Sequence, residues 1–426
     1  MGLILMTEKH TFENNLYKKD KTMFSVDDIR RDFPVFENQD TNKPLVYLDT
    51  AASAQKPQTV IDTICRVYAH SYANVHRGTY ALADEITKAY EDARQTIADF
   101  IHARTSSEVV FTRNATESVN LVAATWGKTN LKKGDEILVS EAEHHANLVP
   151  WQMIAQQTGS VLKIFKISDD GSFDDEAFSN ALTDKVKLVA TTAMSNVLGT
   201  VFPIKKITKA AHQIGAKVLI DACQAIVHKK TDVQDIDCDF LVFSGHKLYG
   251  PTGIGVLYAK SEILAQMPPY QTGGDMVDTV TYQNTTFAPP PARFEAGTPA
   301  AVQAIGLDAA VKYVLSIGQD AIERHENDLI AYFNQKASQD PKLKIIGTAK
   351  DKGGVFAFDY NGIHPQDLAF VLAHENVAVR IGHHCAEPLV KRMGYQSLAR
   401  ASFGLYTSKN DIDAFFKALD KASKFF

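Results

Sequence analysis

The sequence predicts an α/β protein: a large domain around a mainly parallel, seven-stranded sheet, followed in the chain by a smaller α+β domain. Two observations carry that expectation. From about residue 40 to 260, short apolar, β-branched runs alternate with longer helical patterns, as parallel strands joined by crossover helices require. After about residue 301 a second pattern of strands and helices begins. The size agrees, because 426 residues that are 45% hydrophobic suffice for one large core and a smaller one.

Taken in order, Met1 to Met6 is apolar but too short for a secretory signal, and mixed charge follows it at once. Met6 also stands where a myristoylation pattern needs Ser or Thr. Residues 1–22 therefore read as a disordered extension or an over-long gene start, with Met23 a second possible start. The large domain is expected over 23–300, its N-terminal segment packing on the small one. Strands are expected at 108–112, 136–140, 161–167, 187–192, 217–221, 239–243 and 255–259, each nearly all apolar, as in a sheet covered on both faces. Helical spacing at 117–126, 148–157 and 204–214 supplies crossovers. Residues 268–299 hold Pro268, Pro269, Pro289, Pro290, Pro291, Gly273 and Gly274 and read as a long ordered excursion. A helical stretch of about 301–338 leads into the small domain at 301–426, with strands near 342–346, 354–359, 377–381 and 399–406, a helix at 365–374 and a closing helix.

Composition excludes several functions. A net charge of −5 and no basic block disfavour nucleic-acid binding. No apolar run approaches the ~18 residues of a membrane span. The four cysteines (Cys65, Cys223, Cys238, Cys385) include no C-x-x-C pair, so a zinc knuckle or disulfide framework does not fit and a reducing cytosol does. Cys65 and Cys238 read as small buried hydrophobes, and Cys223 as structural though beside Asp221 near the expected cofactor.

Polar residues collect just after the strand ends, the edge where open parallel sheets bind ligands. In Phe243-Ser-Gly-His-Lys247, a lysine ends an apolar strand and enters a Gly-rich turn; half-buried, its amine can form a Schiff base with an aldehyde. Alone, such a lysine is ordinarily a snorkelling side chain. Asp221 closes the strand Lys217-Val-Leu-Ile-Asp221 on the same edge, where a buried carboxylate can keep a pyridinium nitrogen protonated or simply cap a turn. Gln224, in the same turn, can donate to a ring oxygen. Asn114-Ala-Thr-Glu117 opens a helix after a strand, so Ala115 and Thr116 offer N–H and hydroxyl donors to a phosphate, with Ser244 and His246 beside them. His144 or His145 can stack on a flat ring; as metal ligands they lack a third partner at suitable spacing.

Together Ser244-Gly-His-Lys247, Asp221-x-x-Gln224, Glu143-His-His-Ala-Asn147, Phe294-Glu-Ala-Gly-Thr298 and Arg380-Ile-Gly-His-His-Cys385 resemble a group II (SufS-type) cysteine desulfurase of the class V aminotransferase superfamily, from about Phe24 to the C-terminus. The resemblance implies pyridoxal 5′-phosphate on a type I fold and a homodimer with sites at its interface. It implies that Lys247 binds the cofactor, His144 stacks on its ring, Asp221 and Gln224 contact ring nitrogen and oxygen, and Ala115, Thr116, Ser244 and His246 hold the phosphate, joined by Thr298 of a second copy. Asn196 and Arg400 match positions contacting the substrate carboxylate, and Arg380, His76 and Arg77 match positions lining the site mouth. Cys385 would attack the sulfur of L-cysteine, leaving alanine and a persulfide, its thiolate favoured by cationic neighbours His383 and His384.

The short loop at 380–388 implies a dedicated sulfur acceptor protein for iron–sulfur cluster assembly. A SufU-type partner exchanges zinc with a His in an H-P-H-D stretch; here the stretch is His364-Pro-Gln-Asp367, so Gln366 departs from it, and either His364 substitutes or the acceptor is SufE-like. Selenocysteine lyase or cysteine sulfinate desulfinase activity on the same scaffold, and a non-catalytic binding protein, are the competing functions. Lys247, Asp221 and Cys385 all being present weighs against the last.

Overall fold

The computed structural model describes residues 25–37 and 43–426. The expected extension at 1–22, Met23 and Phe24 lie outside the described residues. The strands are Val46–Tyr47 (β1), Val109–Thr112 (β2), Glu136–Ser140 (β3), Val161–Phe165 (β4), Val186–Thr192 (β5), Lys217–Asp221 (β6), Phe240–Ser244 (β7), Gly255–Ala259 (β8), Val277–Val280 (β9), Thr285–Phe287 (β10), Leu343–Ile346 (β11), Val355–Tyr360 (β12), Val377–Ala378 (β13), Arg380–Gly382 (β14) and Leu398–Ser402 (β15).

All seven expected strands of the first pattern join one sheet, in the order β2-β8-β7-β6-β5-β3-β4. Its pairs from β4 through β7 are parallel, and β8 runs antiparallel to both β7 and β2. The reversal has a simple cause. The link Gly245–Ile254 is too short for a crossover helix, so the chain must return beside β7 in the opposite sense. That link carries Lys247. Register places Thr192 opposite Asp221 and Asp221 opposite Val242, so the ends of β5, β6 and β7 meet at one edge.

The crossover helices lie where expected, at Ala115–Val122, Val149–Thr158 and Ile204–Gln213. A longer helix, Ala81–Phe100, went unassigned from sequence; its buried face includes Ile86, Tyr90, Arg94 and Ile97. The expected helix over 301–338 is two, Ala301–Ile317 and Gln319–Gln339, bent by 75°. Gly318 causes the break: its φ of +92° ends the first helix, a conformation that glycine adopts without a Cβ clash. The first of the pair packs into the larger core against Ala81–Phe100 and Gln58–Arg66. Among the described residues no single helix is long and apolar enough to cross a membrane.

The second pattern forms an antiparallel sheet, β11-β12-β15-β14. A separate core of Phe333, Phe356, Phe358 and Phe415 fills the space between this sheet and helices Gln319–Gln339 and Lys409–Ala422, with Phe333 stacked on Phe356 at 4.2 Å. β1 pairs in parallel with β13, Val46 opposite Val377, which brings the chain just after it beside β15. The excursion contains the β9–β10 hairpin and is bolted down by Glu295. That carboxylate accepts from Arg94 Nη1 (2.6 Å), Tyr90 Oη (2.7 Å) and the Phe111 N–H (2.7 Å).

Candidate active site

Lys247 sits on the turn after β7, and the edge around it is built by neighbouring strands. Asp221, at the end of β6, is buried and its Oδ1 accepts the Cys223 N–H at 2.9 Å, so the turn role and an available carboxylate coexist. His144 follows β3; its Nδ1 accepts the Ala146 N–H at 3.0 Å, which leaves the ring proton on Nε2. Burial, then the Lys247 charge, lowers the His144 pKa to about 4, so the ring is neutral. His246 is lowered to about 4 by burial and the Lys247 charge. Behind His144, buried Glu143 accepts from Ser140 Oγ (2.5 Å), Asn147 Nδ2 (2.7 Å) and the Thr192 N–H (2.7 Å), fixing the loop on β3 and β5. Burial raises the Glu143 pKa to about 8.

Helix Ala115–Val122 aims its N-terminus at the same edge. Asn114 caps it, accepting the Glu117 N–H at 2.9 Å, and the Ala115 N–H donates to Ser244 Oγ at 2.9 Å. Thr116 is exposed on the first turn. The helix approaches β8 so closely that a Cβ on Gly255 would lie 2.4 Å from Asn114 Cα. Gln224 is buried and donates its Nε2 to Ala51 O at 2.8 Å. Thr298 is exposed and makes no hydrogen bond with this cluster in the chain.

Cys385 is solvent-exposed on the loop after β14. Gly382, His384 and Cys385 have φ of +114°, +52° and +54°. Two consecutive non-glycine residues in the left-handed region are costly and persist only where surroundings enforce them. Here three tethers do so. Cys385 O accepts the His145 N–H at 2.7 Å, His384 O accepts Asn196 Nδ2 at 2.7 Å, and His145 Nε2 accepts the Glu387 N–H at 3.0 Å. His384 donates Nε2–H to Leu398 O at 3.1 Å.

Two expectations need correction. His384 is not a cation beside the thiol, since burial and then Arg400 lower its pKa to about 3. Arg380 and Arg400 both interact electrostatically with Cys385. Cys65 is exposed on helix Gln58–Arg66 rather than buried, because it falls outside that helix's packed face, whereas Cys238 and Cys223 are buried with thiol pKa values raised by desolvation.

Arg400, on β15, is buried, and burial lowers its pKa to about 10. Its Nη1 donates to Asn196 O at 2.7 Å, and its Nε is buried without a partner. Sequence reasoning missed Asp49, which takes Arg380 in a two-nitrogen grip and Arg400 Nη2 at 3.3 Å. It also missed Lys352, half-buried, whose Nζ donates to Leu198 O and to Gly347 O (3.0 Å), pinning the 195–199 loop that presents Asn196. Neither has a motif in its own neighbourhood. His76 and Arg77 engage Glu91 and Asp275 instead of the cysteine loop. Among the described residues no group of three His, Cys, Asp or Glu could hold a metal.

The lysine, buried carboxylate, neutral ring and helix N-terminus at one edge of a type I sheet can hold a phosphorylated heteroaromatic aldehyde. Fold and site define a class V aminotransferase, and a model of the class-V aminotransferase family matches residues 46–415. The chain is 48% identical to a cysteine desulfurase of Dickeya dadantii over 92% of its own length and 95% of that protein's. It is 44% identical to a cysteine desulfurase of Synechococcus elongatus, covering 93% of this chain and 63% of that relative's length. The crystal structure of the Escherichia coli cysteine desulfurase CsdA superposes with a TM-score of 0.87 at 38% identity, over 95% of this chain and 100% of that one. The chain belongs to the cysteine desulfurases of the class V aminotransferase family.

Proposed function

We propose that this chain converts L-cysteine and the Cys385 thiol to L-alanine and a Cys385 persulfide, as a group II desulfurase. The observation that carries the reading is an exposed cysteine held in a strained turn beside two arginines, tethered to the same edge that bears Lys247. Pyridoxal 5′-phosphate, when bound, supplies the aldehyde that captures the substrate amine and the ring that stores electrons released at its α-carbon. Lys247 holds the cofactor at rest and then moves the α-proton on Nζ. Asp221 holds a proton on the ring nitrogen, Gln224 and His144 orient the ring, and the Ala115–Thr116 turn with Ser244 and His246 binds the phosphate. Arg400 and Asn196 orient the substrate carboxylate, with Arg380 beside them. The Cys385 thiolate attacks the substrate sulfur; the carbon–sulfur bond breaks, its electron pair stays with carbon, and protonation there yields alanine.

In the same reading the protein is a cytoplasmic homodimer whose division falls near residue 300, Thr298 reaching the phosphate of the second copy's site. The persulfide passes to an acceptor protein for iron–sulfur assembly. His364 caps helix Pro365–His374 by accepting the Gln366 N–H at its Nδ1 (3.2 Å), and the acceptor is of the SufU or the SufE type. The test is alanine release from L-cysteine by the cofactor-loaded protein and by Cys385→Ala. Release by the wild type and loss of at least about a hundredfold in the variant is expected; equal release by both would remove Cys385 from the reaction.

A further inference from the structure

The phosphate cradle is built from uncharged donors: the first turn of helix Ala115–Val122, the Ser244 hydroxyl and a His246 ring that burial keeps neutral. The charged side chains on that turn cancel, since Arg113 Nε donates to Glu117 Oε1 at 3.0 Å and Nη2 lies 2.9 Å from the same oxygen. Lys247 is committed to the cofactor's aldehyde carbon. A phosphate monoester carries close to two negative charges at neutral pH and needs a cation. One nearby cation has no carboxylate of its own. Lys56, half-buried on the segment that follows β1, donates from Nζ to His246 O at 2.9 Å and to Ala54 O at 2.5 Å. Among the described residues no carboxylate pairs with it. The segment is laid on the turn that bears Lys247. The Ala54 N–H also donates to His246 O (3.1 Å), Ser53 Oγ lies 3.2 Å from His246 Nδ1, and Gln224 Nε2 holds Ala51 O at 2.8 Å. Two carbonyls solvate an ammonium without neutralising it, and burial lowers the Lys56 pKa to about 8.

We propose that Lys56 is the counter-charge of the cofactor phosphate: its ammonium, clamped to the His246 carbonyl, offsets the anion that the neutral cradle of Ala115, Thr116, Ser244 and His246 holds by hydrogen bonds. The inference rests on the assignment of that cradle above. It requires no contact between Nζ and the phosphate, because attraction between charges in a partly buried site acts over several Å. Lys56 therefore has two separable effects. Its charge acts on the phosphate, and its hydrogen bonds act on the turn that carries Lys247.

The test titrates the full-length, cofactor-free protein with pyridoxal 5′-phosphate and with pyridoxal, which lacks the phosphate, in the wild type, Lys56→Gln and Lys56→Arg. Fluorescence gives the two dissociation constants, and their ratio reads the phosphate alone. Lys56→Gln keeps a hydrogen-bond donor and removes the charge. Its preference for the phosphorylated form is expected to fall about tenfold or more, as loss of one charge near a bound dianion implies, with little change in affinity for pyridoxal. Lys56→Arg keeps the charge and should retain most of the preference. The ratio does not depend on the fraction of protein folded. Equal weakening of both forms in Lys56→Gln, an unchanged ratio there, or a loss in Lys56→Arg as large as in Lys56→Gln would overturn the proposal. A wild type that binds both forms equally would instead remove the cradle assignment itself, and the role of Lys56 with it.

Discussion

Arg400 shows how much one side chain does when it is buried among fixed acceptors. Its guanidinium ties the Asn196 loop to β15 and shares Asp49, and its remaining Nε is buried with no hydrogen-bond partner. Lysine keeps the charge but cannot make planar, forked contacts. Arg400→Lys is therefore expected to raise KM for L-cysteine by about ten- to a hundredfold with a smaller fall in kcat. Steady-state kinetics checks this, and an unchanged KM would take Arg400 out of substrate binding. Lys247, Asp221 and Cys385 were legible because each sits in a local string whose neighbours explain it. Asp49 was not, since its two arginines lie more than 300 positions away in sequence and only β1–β13 pairing brings it to them.

At the level of elements, the phosphate cradle depends on how closely helix Ala115–Val122 meets β8. Gly255→Ala would put a methyl carbon 2.4 Å from Asn114 Cα, and backbone on both sides cannot yield cheaply. The helix N-terminus must then move off the edge. We expect affinity for pyridoxal 5′-phosphate to fall by about tenfold or more, measured by fluorescence titration of the cofactor-free protein; unchanged affinity would place the phosphate elsewhere. The strand positions were readable because doubly covered strands are continuous apolar runs. The direction of β8 and the break at Gly318 were not, because apolar pattern is blind to strand sense and a lone glycine inside a helical pattern is usually tolerated.

For the whole molecule, buried and half-buried histidines govern the response to acid. His144, His246 and His384 have pKa values lowered to about 4, 4 and 3. In the unfolded chain they take up protons near pH 6.5. Between about pH 4 and 6.5 the unfolded state therefore binds more protons, and stability rises with pH across that window. Glu143, raised to about 8, acts in the opposite sense above about pH 4.5, one group against three. The melting temperature is expected to climb by several degrees from pH 4.5 to 6.5. A flat or falling profile would show that the three rings are charged in the folded protein.

The sequence by itself determined the α/β class, the seven strands and the residues that end them, because apolar periodicity and side-chain type at a strand end are local properties. It also determined which cysteine differs from the others, through the string that surrounds it. Only the tertiary structure decided which charges face Cys385. Burial makes His384 neutral, and cross-strand pairing sets Arg380 against Arg400 with Asp49 between them. Electrostatic environment depends on distance and desolvation, and both are set by contacts between segments that the sequence keeps far apart.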